Sequence, residues 1–134
     1  MEGMKPQFET RLKEAYVIWL TTVRADGMPQ PTPVWFVWEN ETFLIYSMPD
    51  AQKVKNARQN PRVALNLNSS ADGEEYTVIH GEVTFEPDAP VPTKHAGYFA
   101  KYEKGIGDIG MTPESFDATF NLAMRIKPLR ARGE

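Results

Sequence analysis

Three prolines at alternate positions, Pro29, Pro31 and Pro33, lead directly into the apolar run Val34-Trp35-Phe36-Val37-Trp38. In an extended chain, whose side chains and peptide groups alternate with a period of two, all three missing N–H groups fall on one side. That side of the strand is therefore unpaired or bulged, and free for a ligand or a partner. From Val34 to Trp38 both faces are apolar, which a two-layer structure open to water on one face does not tolerate. Something must cover the outside. Burial on both sides within one domain would do so, as would a subunit interface or a flat aromatic ligand; in so small a chain the second account is favoured.

Residues 43–62, FLIYSMPDAQKVKNARQNPR, read as a short buried strand (43–46), a polar turn carrying Ser47, a helix from about Asp50 to Asn60, and a stop at Pro61. The free N–H groups and dipole of a helix N-terminus supply roughly half a positive charge, and Lys53 in the first turn adds a whole one, an arrangement that suits a phosphate. The same letters have a plainer account. Asp50 is a good N-cap, Ala51, Val54 and Ala57 form a narrow apolar stripe, and Lys53, Lys55 and Arg58 serve equally well as a solvated face.

The 134 residues are read as one domain, 1–134, large enough to bury about two-thirds of its unfolded surface. Cysteine is absent, so there is neither a disulfide framework nor a thiolate metal site. With no leader-like or membrane-length apolar segment, the expected compartment is the cytoplasm and no membrane partner is expected. A net charge of −3 argues against a nucleic-acid partner, since affinity for polyanions leans on many Lys and Arg contacts to phosphate. His80 and His95 fall on different elements without ligand spacing, so no metal is expected.

Along the rest of the chain, residues 7–15 read as a short amphipathic helix with Phe8, Leu12 and Ala15 on one side. Residues 16–24 and the proline-rich run form a hairpin around Ala25-Asp26-Gly27. In 63–68, Val63, Leu65 and Leu67 alternate inward; in 76–86, Thr77, Ile79, Val83 and Phe85 do so, and Gly81 in that face marks a bulge or barrel corner. A helix over 93–103 carries His95, Phe99 and Tyr102 on one face. Gly105-Ile-Gly-Asp-Ile-Gly110 matches GxGxxG letter for letter, but it follows a helix, whereas a dinucleotide fingerprint follows a strand and opens a helix. Its glycines read as the end of one helix and the spacer to the next, which starts at Thr112 (N-cap) and Pro113 and carries Phe116 and Phe120. A strand over 122–127, then Pro128 and a basic tail containing Arg130 and Arg132, end the chain.

Six strands with short helices and frequent turn signals predict a mainly β fold, an antiparallel barrel decorated by helices. The succession WLTTVRADGMPQPTPVWFVWENETFLIYS, the lysine-bearing helix and NPRVAL resembles the pyridoxamine 5′-phosphate oxidase-like flavin-binding split barrels. More narrowly, GMTPESF followed by RIKPLRARG is similar to the small branch of deazaflavin-dependent oxidoreductases. The resemblance covers residues 12–133 and rests on the ordered series of motifs. It implies a six-stranded antiparallel split β-barrel of the FMN-binding type with short flanking helices. It also implies a homodimer with FMN or coenzyme F420 in a groove at the interface. The ring would lie along Thr32, Pro33, Val34 and Trp35, and the phosphate arm would reach Ser47, Gln52 and Lys53, with Arg58 and Asn56 as further candidates. Arg130 is the candidate for the basic residue that follows a C-terminal proline in such proteins. A tryptophan often stands near the chain end in this branch, where this sequence has Gly133-Glu134.

The activity implied is hydride transfer to or from a small organic substrate, with the chemistry carried by the cofactor and no catalytic residue named. Two other classes stay open. One is a non-catalytic binder of flavin, deazaflavin or haem in the same cleft. The other is a cofactor-free dimeric interaction module, for which the basic helix and the aromatic strand are only surface and interface.

Overall fold

The computed structural model describes residues 1–134. Its strands are β1 (Val17–Val23), β2 (Pro29–Trp35), β3 (Val37–Glu39), β4 (Thr42–Ser47), β5 (Arg62–Asn66), β6 (Thr77–Phe85) and β7 (Leu122–Gly133). The helices are α1 (Pro6–Glu14), α2 (Gln52–Gln59), α3 (Ala96–Asp108) and α4 (Pro113–Thr119). All seven strands form one antiparallel sheet in the order β2-β1-β5-β6-β7-β4-β3. The proline-rich strand is indeed an edge. Pro29, Pro31 and Pro33 stand opposite Val23, Thr21 and Trp19 of β1, and the side of β2 that lacks N–H groups has no ladder partner.

The sheet has one strand more than the six expected, because the run 29–38 is broken at Phe36. The Phe36 N–H donates to Tyr102 Oη at 2.8 Å, and its carbonyl accepts from Lys101 Nζ at 2.8 Å. With both peptide groups taken by a helix, Phe36 cannot join a ladder. The chain turns a corner there, from β2 at one end of the sheet to β3 at the other, and the sheet curls into a split barrel whose two edges meet at this residue.

The cover over the apolar run comes from the chain itself. Trp35 stacks on Tyr102 of α3 (4.5 Å, 3° between planes) and on Phe116 of α4 (5.8 Å, 19°). Val37, Leu44, Tyr46, Tyr98, Ile106 and Ala123 complete this outer cluster. The account that was passed over, burial on both sides within one domain, is the one observed. It removes the double apolar face as an argument for a second subunit. Inside the barrel lies the larger core, with Ile18, Leu20, Val34, Phe43, Ile45 and Met124 packed around Phe8 and Leu12 of α1, which plugs one end. Burying those last two side chains contributes about 1.5–3 kcal/mol each.

Three further boundaries differ from expectation. The helix α2 starts at Gln52 with Ala51 as its N-cap and no side-chain cap, so Asp50, which is exposed, does not cap it. The helix α3 starts at Ala96, capped by His95 Nδ1 accepting from the Tyr98 N–H at 3.0 Å. It continues through Gly105 and Gly107, because Gly105 is where the helix touches Trp35: a Cβ there would lie 3.1 Å from the indole. Finally, the basic tail is not a tail. The strand β7 runs through Pro128 to Gly133, and a β-bulge absorbs the proline. Gly81 pairs with Pro128 and His80 with Arg130, leaving Leu129 as the extra residue. The bulge expected at Gly81 is there, and a Cβ at Gly81 would sit 2.7 Å from Ile126. Thr112 caps α4 as expected, in a reciprocal capping box with Ser115. No helix is long and apolar enough to cross a membrane.

Candidate functional site

The bare edge of β2 faces the end of β4 and the start of α2 across the split, and two cavities lie along it. The first, about 380 Å³, is lined by Thr22, Met28, Pro29, Gln30, Pro31, Thr32, Gln52 and Lys53 and is largely polar. The second, about 180 Å³, is bounded by Pro33, Val34, Trp35, Tyr46, Lys53, Tyr98, Ile109, Phe116 and Phe120. Lys53 belongs to both, so the two make one groove, polar at one end and aromatic at the other. Six of the residues picked from the sequence, Thr32, Pro33, Val34, Trp35, Gln52 and Lys53, are brought together in it.

The other three are not. Ser47 is fully buried, and its hydroxyl donates to the Met48 carbonyl at 3.0 Å. The Arg58 guanidinium lies 4.2 Å over the Phe85 ring. Arg130 stands on the outer face of the sheet in a separate hollow of about 460 Å³ with Thr21, Arg62 and His80. That hollow is larger than either cavity of the groove, and another of about 330 Å³, beside Trp38, Glu41 and Lys127, is comparable with the polar one. Size does not decide here. The groove alone combines an unpaired strand edge, a helix N-terminus, a cation without a counter-charge and a flat aromatic wall.

Lys53 is half-buried, burial lowers its pKa, and it makes no salt bridge. A half-buried cation without a counter-charge favours an anionic ligand, and the uncapped first turn of α2 offers N–H donors beside it. Gln52 and Gln30 are oriented by Asn56, which is 1% exposed. Its Nδ2 donates to Thr22 Oγ1 at 3.0 Å and to Gln30 Oε1 at 2.9 Å, and its Oδ1 accepts from Gln52 Nε2 at 2.8 Å. This buried amide ties α2 to the β1–β2 hairpin, so the position of Lys53 relative to β2 is fixed by a satisfied polar network.

At the aromatic end, Tyr46 Oη donates to the Pro90 carbonyl at 2.6 Å, and burial first, then the nearby Glu39 carboxylate, push its pKa up to about 12. Glu39 in turn bonds His95 Nε2 at 2.9 Å and Arg125 Nη1 at 2.9 Å, and Arg125 reaches Glu86 at 2.9 Å. Burial pulls the Glu39 pKa upward, but the hydrogen bonds from Arg125 and His95 outweigh it and hold it below the usual carboxylate range. This network pins the start of α3, and with it Tyr98, to β3 and β7.

Sequence reasoning missed Tyr46, Tyr98 and Ile109 as groove residues, and it read Phe116 and Phe120 only as a helical face. Tyr46 lies on β4, whereas Tyr98 and Ile109 stand at opposite ends of α3, and no local pattern links the three.

The family model for pyridoxamine 5′-phosphate oxidase matches residues 4–131, nearly the whole chain. The chain belongs to the pyridoxamine 5′-phosphate oxidase family. No curated protein matches it. Among solved structures, an F420 reductase is 25% identical, covering 98% of this chain and 100% of its own, with a TM-score of 0.76. This likeness agrees with the branch of the pyridoxamine 5′-phosphate oxidase family to which GMTPESF and RIKPLRARG are similar. An FAD-binding protein from Mesorhizobium loti (19% identity, 96% and 90% coverage, TM-score 0.68) shares the fold. So does the haem storage protein HutZ from Vibrio cholerae (16%, 98% and 94%, TM-score 0.69). The split barrel of this family is thus common to proteins with flavin-type and haem ligands.

Proposed function

We propose that this chain binds coenzyme F420 or FMN in the β2 groove and acts as an oxidoreductase on a small organic substrate. The observation that carries the proposal is Lys53: half-buried, without a salt bridge, in the uncapped first turn of α2, and shared by the polar and aromatic halves of one groove. In this reading Lys53, Gln52 and the α2 N–H groups hold the phosphate, while the edge of β2 from Thr32 to Trp35 lies along the ring. The bare strand edge and the Trp35 side chain suit a flat ring by shape and by lack of competing hydrogen bonds. The cofactor would supply hydride-transfer chemistry; the protein supplies position, exclusion of water and a fixed charge. The likeness to an F420 reductase supports the deazaflavin over the flavin. A haem finds less support, since no histidine lines the groove: His95 is engaged by Glu39 and the Tyr98 N–H, and His80 is on the outer face.

The reading includes a homodimer in which Arg130 of a second copy completes the groove, because Arg130 is exposed on the outer sheet face and lies outside its own chain's groove. The test is equilibrium titration of the purified protein with FMN and with F420, followed by anaerobic reduction and turnover, with sedimentation alongside. Saturable binding of one cofactor and a particle of twice the chain mass are expected. Binding of neither overturns the cofactor assignment, and a monomer that binds cofactor with unchanged affinity after Arg130→Ala overturns the composite pocket.

A further inference from the structure

Besides Lys53, the aromatic half of the groove contains a hydroxyl that makes no hydrogen bond within the protein. Tyr98, 1% exposed, lines the cavity, and its ring is wedged edge-on against Tyr46 at 4.9 Å and beside Tyr102 at 4.8 Å. The neighbouring hydroxyls are committed: Tyr46 Oη donates to the Pro90 carbonyl at 2.6 Å, and Tyr102 Oη accepts from Phe36 N and donates to the Tyr16 carbonyl at 2.6 Å. The only hydrogen bond of Tyr98 is that of its backbone N–H to His95; its hydroxyl makes none. No buried side-chain oxygen or nitrogen lacks a partner in this structure, so the Tyr98 hydroxyl is not sealed off but open to the cavity, and whatever occupies the cavity supplies its hydrogen-bond partner. Water can fill that place in the open cavity, but the wall around it is mostly apolar, with Pro33, Val34, Trp35, Ile109, Phe116 and Phe120 beside Lys53 and Tyr46, so a flat apolar guest with one acceptor displaces it readily.

We propose that the Tyr98 hydroxyl donates a hydrogen bond to the carbonyl oxygen of a one-ring substrate seated in the aromatic cavity. This rests on the reading of the groove as a cofactor-dependent oxidoreductase site, with the cofactor along β2 and the substrate beneath α3 and α4. Size fixes the number of rings. About 150 Å³ of apolar space accommodates benzene, so a cavity of about 180 Å³ has room for one substituted ring against the cofactor edge at Pro33, Val34 and Trp35. Shape favours a planar skeleton, since Trp35 and Phe116 are stacked 19° from parallel on its wall. The partner is an acceptor, because burial raises the Tyr98 pKa and the phenol keeps its proton as a donor.

The probes are acetophenone and α-methylstyrene, which share a shape and differ in having or lacking the carbonyl oxygen. Ligand-detected NMR titration of the full-length protein should show acetophenone bound about 3- to 10-fold more tightly, as one buried hydrogen bond predicts. In Tyr98→Phe the preference should vanish, with α-methylstyrene affinity unchanged and a melting temperature no lower than the parent's. A preference that survives in Tyr98→Phe, or a parent that prefers neither probe or binds neither, overturns the proposal. Titration of Tyr98→Phe with FMN and F420 separates the two readings. Unchanged cofactor affinity is expected, and a matching drop would place the hydroxyl on the cofactor and overturn the substrate assignment. If neither cofactor binds the parent while the carbonyl preference still depends on Tyr98, the oxidoreductase reading falls and the carbonyl site stands.

Discussion

Removing the Tyr102 hydroxyl should cost far more than removing that of Tyr98, although both rings are buried in the same cluster. Tyr102 Oη accepts the Phe36 N–H at 2.8 Å and donates to the Tyr16 carbonyl at 2.6 Å, and Phe36 has no exposed surface. In Tyr102→Phe the Phe36 N–H becomes a buried donor with no acceptor, a loss of about 1–3 kcal/mol, and the Tyr16 carbonyl loses a bond worth about 0.5–1.5 kcal/mol. The Phe36 carbonyl keeps Lys101 Nζ, and the stack on Trp35 survives because phenylalanine retains the ring. The sum is about 1.5–4.5 kcal/mol, which for a domain of this size lowers Tm by roughly 5 to 18 °C. Urea and thermal unfolding measure it, and exchange of the Phe36 amide reports whether the corner itself opens. A loss below about 0.5 kcal/mol, with the amide still protected, would refute the claim that Tyr102 makes the break between β2 and β3.

Lys53→Ala should weaken cofactor binding about 10- to 150-fold, as loss of one charge-assisted bond implies. Fluorescence titration checks it, with Lys55→Ala, exposed and on another side of α2, as the control that should change little. Lys101 makes stability depend on pH in a defined direction. Burial pushes its pKa down to about 8, so between about 8 and its ordinary value the unfolded chain binds more protons and stability rises with pH. Lys101→Met should flatten that rise in urea titrations at about pH 7.5, below that window, and about pH 9.5, inside it, and equal slopes would sink the assignment. Gly107→Ala, where a Cβ meets nothing within 4 Å, should stabilise by about 0.4–1 kcal/mol. Gly105→Ala should destabilise in the same melting assay, because the new Cβ would overlap Tyr16 Oη, which must move, and would lie 3.1 Å from an indole stacked on Tyr102 and Phe116.

What could be read from the sequence was local. Proline parity specifies an edge because a missing N–H is a property of the residue itself, and Thr112-Pro113 announces a helix start for the same reason. Lys53 was legible because a lysine after a strand and turn lies beside a helix N-terminus whatever the fold. The break at Phe36 was not legible, since the groups that impose it, Lys101 and Tyr102, lie 65 and 66 positions away. The length of α3 was misread because glycine's poor helix propensity is overridden by the contact between Gly105 and Trp35. Pro128 looked like the end of a strand until its pairing with Gly81 across a bulge supplied a place for it. Tyr98 gives no signal of its own. An open hydroxyl is defined by what its neighbours are doing, and those neighbours lie on β4 and α4 as well as on its own helix.

The single-residue link between β2 and β3 constrains how the cleft can move. The two free edges of the sheet are sewn together at Phe36, so they cannot part like two plates; any widening is a wedge pivoting on that stitch. The polar end is held as well, because Asn56 clamps the start of α2 to Thr22 and Gln30 of the β1–β2 hairpin. Pinned at Phe36 on one side and at Asn56 on the other, the groove has its width set by the fold before anything enters it, so shape complementarity and not closure decides what fits.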